Sequence, residues 1–236
     1  MRLSLALLAA LFLAAPASAQ ADTLVVVPGD GTLVTDWVTP GSRSYTIRLV
    51  QPMQQDIGTA VETVTVAGGE VTRVVRVSVP MQGVTQTDSL VADAATFAPR
   101  VHRSTGGAQE ASLEFMDEGV VGMLTPRTGE AATVTLMTDA PVFDSAWLGE
   151  IAQSLPLAEG AVARVPVFVT QSPDEAADAV LTVTGQETMG DRTAWTVDAQ
   201  MGPMTMTYVV DAETRALLAT RFSPQPGVRI EIRPAD

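Results

Sequence analysis

The stretch Tyr208–Phe222, Y-V-V-D-A-E-T-R-A-L-L-A-T-R-F, constrains the fold more than any other part of the chain. An apolar run ends at Asp211, Asp211-Ala-Glu-Thr214 carries turn chemistry, and a second apolar run returns from Ala216; this reads as strand, tight turn, strand. A degenerate copy stands 118 residues upstream as Leu90-Val-Ala-Asp-Ala-Ala-Thr-Phe-Ala-Pro-Arg-Val-His-Arg103, with Asp93 in the place of Asp211. Val64–Val79 aligns in the same way with Val183–Asp198, and Glu110–Met116 with Gly227–Arg233. The spacing predicts two related halves of antiparallel sheet, against the alternative that unrelated hairpins resemble each other by chance.

The rest of the chain agrees with that class. Val228, Ile230 and Ile232 alternate with Arg229, Glu231 and Arg233, the pattern of a sheet with one wet face. Val61–Val66 and Val71–Val79 flank Ala67-Gly-Gly-Glu70, a hairpin; Val71, Val75, Val77 and Val79 share a face that Arg73 interrupts. Short strands are read at 23–27, 33–38 and 44–51. Residues 85–98 have the alanine content of a helix, but their counterpart Met204–Val210 is plainly a strand, so 85–92 is read as one. A single substantial helix is predicted over Ser145–Leu155. Asp144 is placed as its N-cap, Phe143 and Leu148 as a hydrophobic staple, and Pro156 as its stop. Phe143, Trp147, Ile151 and Leu155 recur every four residues as an apolar stripe that needs a sheet to cover it. Ser172-Pro-Asp-Glu175 reads as the capping box of a much shorter helical turn.

Arg2, the apolar run Leu3–Ala15 and Ala17-Ser-Ala19 form a secretory signal, too short for a membrane span. The expected organisation is signal peptide 1–19, N-terminal β extension 20–57, and β half-barrel 58–236 containing helix 145–155. No later run is long and apolar enough to span a bilayer, so the exported part is expected to be soluble, in the periplasm or outside the cell.

Composition removes many chemistries. Without the signal, 13 Arg face 27 Asp and Glu, a formal charge near −14, which disfavours nucleic acid and anionic headgroups. The chain has no Lys, Cys or Asn, and His102 is its single histidine. Walker-type phosphate loops, Schiff bases, thiol catalysis and Cys/His zinc sites are thereby excluded. His102 lies near Ser104, but no nucleophile elbow accompanies them, and an ordinary strand histidine is the reading adopted. The acidic pairs Glu110/Glu114 and Asp117/Glu118, with Asp174, Glu175 and Asp178, have the chemistry of glycoside hydrolysis; their abundance makes solvated turns the simpler reading. Met201-Gly-Pro-Met204-Thr-Met206 offers soft thioethers of the kind that suit Cu(I), or simply core filling on one strand face. Core filling is the reading taken: no catalytic, cofactor-binding or metal-ligating residue is assigned.

The strand-turn-strand Y-V-V-D-A-E-T-R-A-L-L, the helix entry P-V-F-D-S-A-W-L with its exit S-L-P-L-A-E-G, and the segment V-T-G-Q-E-T resemble uncharacterised exported β-rich proteins related to the LolA/LolB-like lipoprotein-carrier superfamily. The resemblance covers roughly 59–233 and lacks the lipidated cysteine of the membrane-anchored branch. It implies a mainly β fold, a curved antiparallel sheet forming a half-open barrel around one amphipathic helix, with an apolar cavity. The function expected is an exported, non-enzymatic binding protein for an apolar or lipid-like ligand, lined by Phe143, Trp147, Leu148, Ile151, Met204 and Met206. The alternative is a structural or assembly module acting through contacts with envelope proteins, with a hydrolase third.

Overall fold

The computed structural model describes residues 23–235; the segment read as a signal peptide lies outside them. The chain opens with β1 (Leu24–Val25), β2 (Gly41–Gln51), β3 (Gln55–Ala67), β4 (Glu70–Val79), β5 (Val84–Asp93), β6 (Pro99–Thr105), β7 (Gln109–Met116), β8 (Gly119–Pro126) and β9 (Ala132–Met137). The two-residue β10 (Phe143–Asp144) leads into a 3₁₀ turn, Ser145–Trp147, and helix α1 (Leu148–Ser154). Then follow β11 (Val162–Phe168), β12 (Ala177–Met189), β13 (Arg192–Met201), β14 (Met204–Asp211), β15 (Leu217–Gln225) and β16 (Val228–Pro234).

All belong to one curved, non-closed sheet. It runs from β1 through β11–β16, passes into β2, and continues through β3 to β9, while β10 also pairs with β11. The residues expected as an N-terminal extension are therefore woven into the sheet, with β2 joining β16 to β3. Apolar side chains, rather than ladder hydrogen bonds, connect β9 to β11: Val134 and Leu136 cluster with Val142 and Phe168, and Phe115 meets Phe168 edge-on at 5.9 Å.

One turn recurs in both of the halves inferred from the repeated motif. After β5, Asp93 Oδ1 accepts the Ala95 and Thr96 N–H groups; after β14, Asp211 Oδ1 accepts those of Glu213 and Thr214. In each turn the fifth residue is left-handed without being glycine, Phe97 at φ 53° and Arg215 at φ 60°. Its N–H donates to the Asp carbonyl in both. The two strained residues hold the helix from opposite ends. Phe97 stacks on Trp147 at 5.5 Å, and Arg215 Nη1 donates to the Gln153 and Leu155 carbonyls, satisfying acceptors that a helix end leaves open.

The helical segment follows its expectation: Asp144 accepts the Ala146 N–H at 2.9 Å, and Phe143, Trp147, Ile151 and Leu155 are all buried. The strand expected at 33–38 is instead a strap. Its Val34 N–H goes to the Ser154 carbonyl, and Trp37 Nε1 donates to Val34 O and Ser154 Oγ, so the helix end takes the bonds a strand would have made. Ser172–Glu175 forms turns and no helix. The link between β11 and β12 is short, and one helical turn there would bury nothing that repaid its nucleation.

Candidate functional site

Strand alternation builds one wall of a cleft. Gln86 and Asp88 on β5 and His102 and Ser104 on β6 share a face, with Asp88 directly opposite Ser104 in register. They are the polar end of a face whose continuation, Leu90 and Ala92, is core. The floor is Asp144, and the facing wall is Leu148 of α1 with Met201, Met204 and Met206 of the β13–β14 hairpin. The cleft encloses about 410 Å³, the size of a small-molecule site.

Asp144 serves two partners with different oxygens. Oδ1 caps the helical segment, while Oδ2 lies 2.7 Å from His102 Nδ1. That contact falls off the N–H axis, so it is an ion pair rather than an aligned hydrogen bond. His102 Nε2 faces Asp88 Oδ1 at 3.8 Å. Burial opposes charging the ring, but the Asp144 and Asp88 carboxylates outweigh it and raise the imidazole pKa to about 9. Burial likewise opposes charge on Asp88, yet the nearby His102 ring and Ser104, with the Gln86 amide donating to both oxygens, hold its carboxyl below the usual range. The cleft thus sets the two carboxyl groups of Asp88 and Asp144 against the single imidazole of His102. Neither Arg nor Lys lines the cleft.

His102 therefore stabilises the fold most below its ordinary pKa of 6.5, and that contribution is lost as pH rises through about 9. Urea unfolding of the wild type should weaken over this window by on the order of 3 kcal/mol, and His102→Gln should flatten that part of the profile. A profile unchanged by His102→Gln would show the ring to be uncharged in the fold.

Ser104, His102 and Asp144 line the same cleft, and Ser104 lies opposite Asp88 in register. Both ring nitrogens face carboxylates. Leu148, Met204 and Met206 line the cleft. Phe143, Trp147 and Ile151 do not: they are 0–1% exposed, within the main core cluster. The space beside Trp147 is only about 40 Å³, room for no more than a few waters, because Phe97 and Trp37 fill the concavity of the sheet.

That small space borders a buried charge cluster. Arg73 Nε donates to Glu62 Oε1 at 2.6 Å and lies 2.7 Å from Glu150 Oε1, Arg73 Nη1 donates to the Ala146 carbonyl, and Tyr45 O–H donates to Glu62 Oε2. Burial pushes the Glu150 carboxyl up to about 7 despite Arg73, since Glu62 already takes the aligned bond. Glu62 is held below the usual carboxylate range: burial opposes its charge, and Arg73 and Tyr45 overcome it. The sequence signal for this cluster is Arg73 itself, a charge on an otherwise apolar strand face. Asp88 and Asp144 carried no such signal, because each reads locally as a strand polar residue or a cap.

Among the described residues, no group of three or more His, Cys, Asp or Glu is placed to hold a metal ion, and no helix is long and apolar enough to cross a membrane. No curated protein matches the chain at a significant level. The profile of a family described as protein of unknown function, DUF3108, matches residues 37–232, and the chain belongs to that family.

Proposed function

We propose that this DUF3108 protein is an exported, non-catalytic binding protein that shelters a lipid-like small molecule, with a neutral or cationic head, in the cleft between β5–β6 and the β13–β14 hairpin. One observation carries the reading: an apolar wall of Leu148, Met201, Met204 and Met206 faces an acidic floor of Asp88 and Asp144 in a cleft of about 410 Å³. Flexible thioether side chains adapt to apolar bodies of varied shape. The acidic floor, whose only cation is the doubly engaged His102, rejects a carboxylate or phosphate head. Export is supported by Arg2, Leu3–Ala15 and Ala17-Ser-Ala19. A half-open sheet around a helix is also what the likeness to lipoprotein carriers implies; architecture alone does not carry function, so the reading rests on the cleft.

Calorimetric titration with decyltrimethylammonium, 1-decanol and decanoate, each below its micelle concentration, tests this. The first two should bind and decanoate should not. Asp88→Asn should weaken the ammonium probe about tenfold while leaving the alcohol unchanged. Equal binding of decanoate, or no binding of any probe, would overturn the assignment. A hydrolytic reading would draw on Ser104, His102 and Asp144, which line one cleft. A ring already protonated at neutral pH lacks the free nitrogen a general base needs.

A further inference from the structure

The geometry points to a site for a soft monovalent metal ion, Cu(I), on the thioether wall. Met201 and Met204 are register partners closing the β13–β14 hairpin, joined by the two-residue turn Gly202-Pro203. Gly202 takes a left-handed φ of 55° there, the conformation a two-residue hairpin demands. Met206 follows two residues along β14, so strand alternation puts it on the same face as Met204. All three side chains line the same cleft. Register partners have Cβ atoms about 4.5–5.5 Å apart and diagonal neighbours about 7–8 Å, within the span of three unbranched side chains meeting at one ion.

The ligand set selects the metal. Thioether sulfur is soft, matching Cu(I) rather than Zn(II), Mg(II) or Ca(II), and a chain without Cys has no stronger sulfur ligand to compete. Three neutral sulfurs leave the ion's charge uncompensated; the acidic side chains Asp88 and Asp144, which line the same cleft and outnumber its one imidazole, offset it. Met204 is 48% exposed, which leaves the ion a path in from solvent. The Tyr208 hydroxyl donates to Met206 Sδ at 3.7 Å and fixes that sulfur from the core side. His102 stays with Asp144, outside the ligand set.

This site does not rest on the amphiphile reading, and leucine substitution tests it, because Leu keeps apolar bulk while removing the sulfur. The full exported chain is titrated anaerobically with Cu(I) against a chromophoric Cu(I) chelator, with Ag(I) and native mass spectrometry as the redox-inert check. One ion per chain is expected, with sulfur as the dominant scatterer in X-ray absorption. Met204→Leu should weaken binding by at least the roughly tenfold that loss of even an outer-shell partner costs, and Met201→Leu with Met204→Leu and Met206→Leu should abolish it. Replacing the exposed methionines Met116, Met123 and Met137 with Leu should change nothing. The triple hairpin variant should keep the wild-type far-ultraviolet circular dichroism and a cooperative urea transition, which shows that it folds. Failure of the wild type to hold Cu(I) or Ag(I) against the chelator overturns the metal site, as does equal retention by the triple variant.

Discussion

Arg73→Met is expected to destabilise the protein by about 3–5 kcal/mol at pH 8, the loss that follows when one partner of a buried ion cluster is removed. The guanidinium contacts both Glu62 on β3 and Glu150 on α1, and it also reaches the Ala146 carbonyl at the start of the helix. Without it, two buried carboxylates face each other, and Glu62 keeps the Tyr45 hydrogen bond and the weaker field of Arg43. The cost should shrink on acidification, because protonation neutralises both acids. In the wild type the two acids act in opposite directions. Glu150, with its pKa raised from 4.5 to about 7, contributes stability below pH 4.5 that is lost as pH rises through 7. Glu62, lowered, contributes stability above its ordinary pKa that is lost as pH falls through the depressed value. Glu150→Gln should therefore flatten the wild-type profile between about pH 4.5 and 7 without touching the His102 window above it. Urea unfolding of wild type, Arg73→Met and Glu150→Gln at pH 5, 6.5 and 8 measures this. An Arg73→Met protein as stable as wild type at pH 8 would mean that the cluster is hydrated rather than buried.

Phe97→Ala is expected to cost about 3–5 kcal/mol, the range for emptying a buried aromatic site. Phe97 has no exposed surface and lies between Trp147, stacked at 5.5 Å, and Trp37 at 6.2 Å. Its removal opens the space that now separates sheet from helix, so the near-ultraviolet circular dichroism of Trp147 should weaken as stability falls. The backbone adds a finer expectation. At φ 53° any residue with a Cβ carries strain of about 1–2 kcal/mol, which glycine avoids. Phe97→Gly should thus be no worse than Phe97→Ala, although it removes one carbon more. An alanine variant clearly more stable than the glycine variant would contradict a left-handed Phe97.

Much of this architecture is local and therefore readable. The D-A-x-T pattern at Asp93 and Asp211 specifies its own turn through Asp side chain to backbone bonds, and the copies could be matched without knowing what they contact. The helix was equally visible, since Asp144, the apolar stripe and Pro156 all act within one segment. The cleft was not. His102 meets Asp144 only because β10 crosses from β9 to pair with β11 beside β6, a long-range outcome of sheet curvature that no window of sequence contains. For the same reason the helix stripe looked like the lining of a ligand cavity. Its partners Phe97 and Trp37 arrive from a strained turn and from a strap that reads as a strand. They turn Phe143, Trp147 and Ile151 into core and leave the open concavity to the methionines. The methionine run was visible; that its three residues line one cleft with Asp88 and Asp144 was not.

Native mass spectrometry of the protein taken from its own envelope fraction, followed by extraction and identification of what is bound, is the most direct test of the cleft. The expected result is a stoichiometric lipid-like molecule with a neutral or cationic head, depleted in an Asp88→Asn variant of unchanged fold. A ligand-free protein that also ignores added decyltrimethylammonium and 1-decanol would contradict the binding role and point to a module that works through protein contacts.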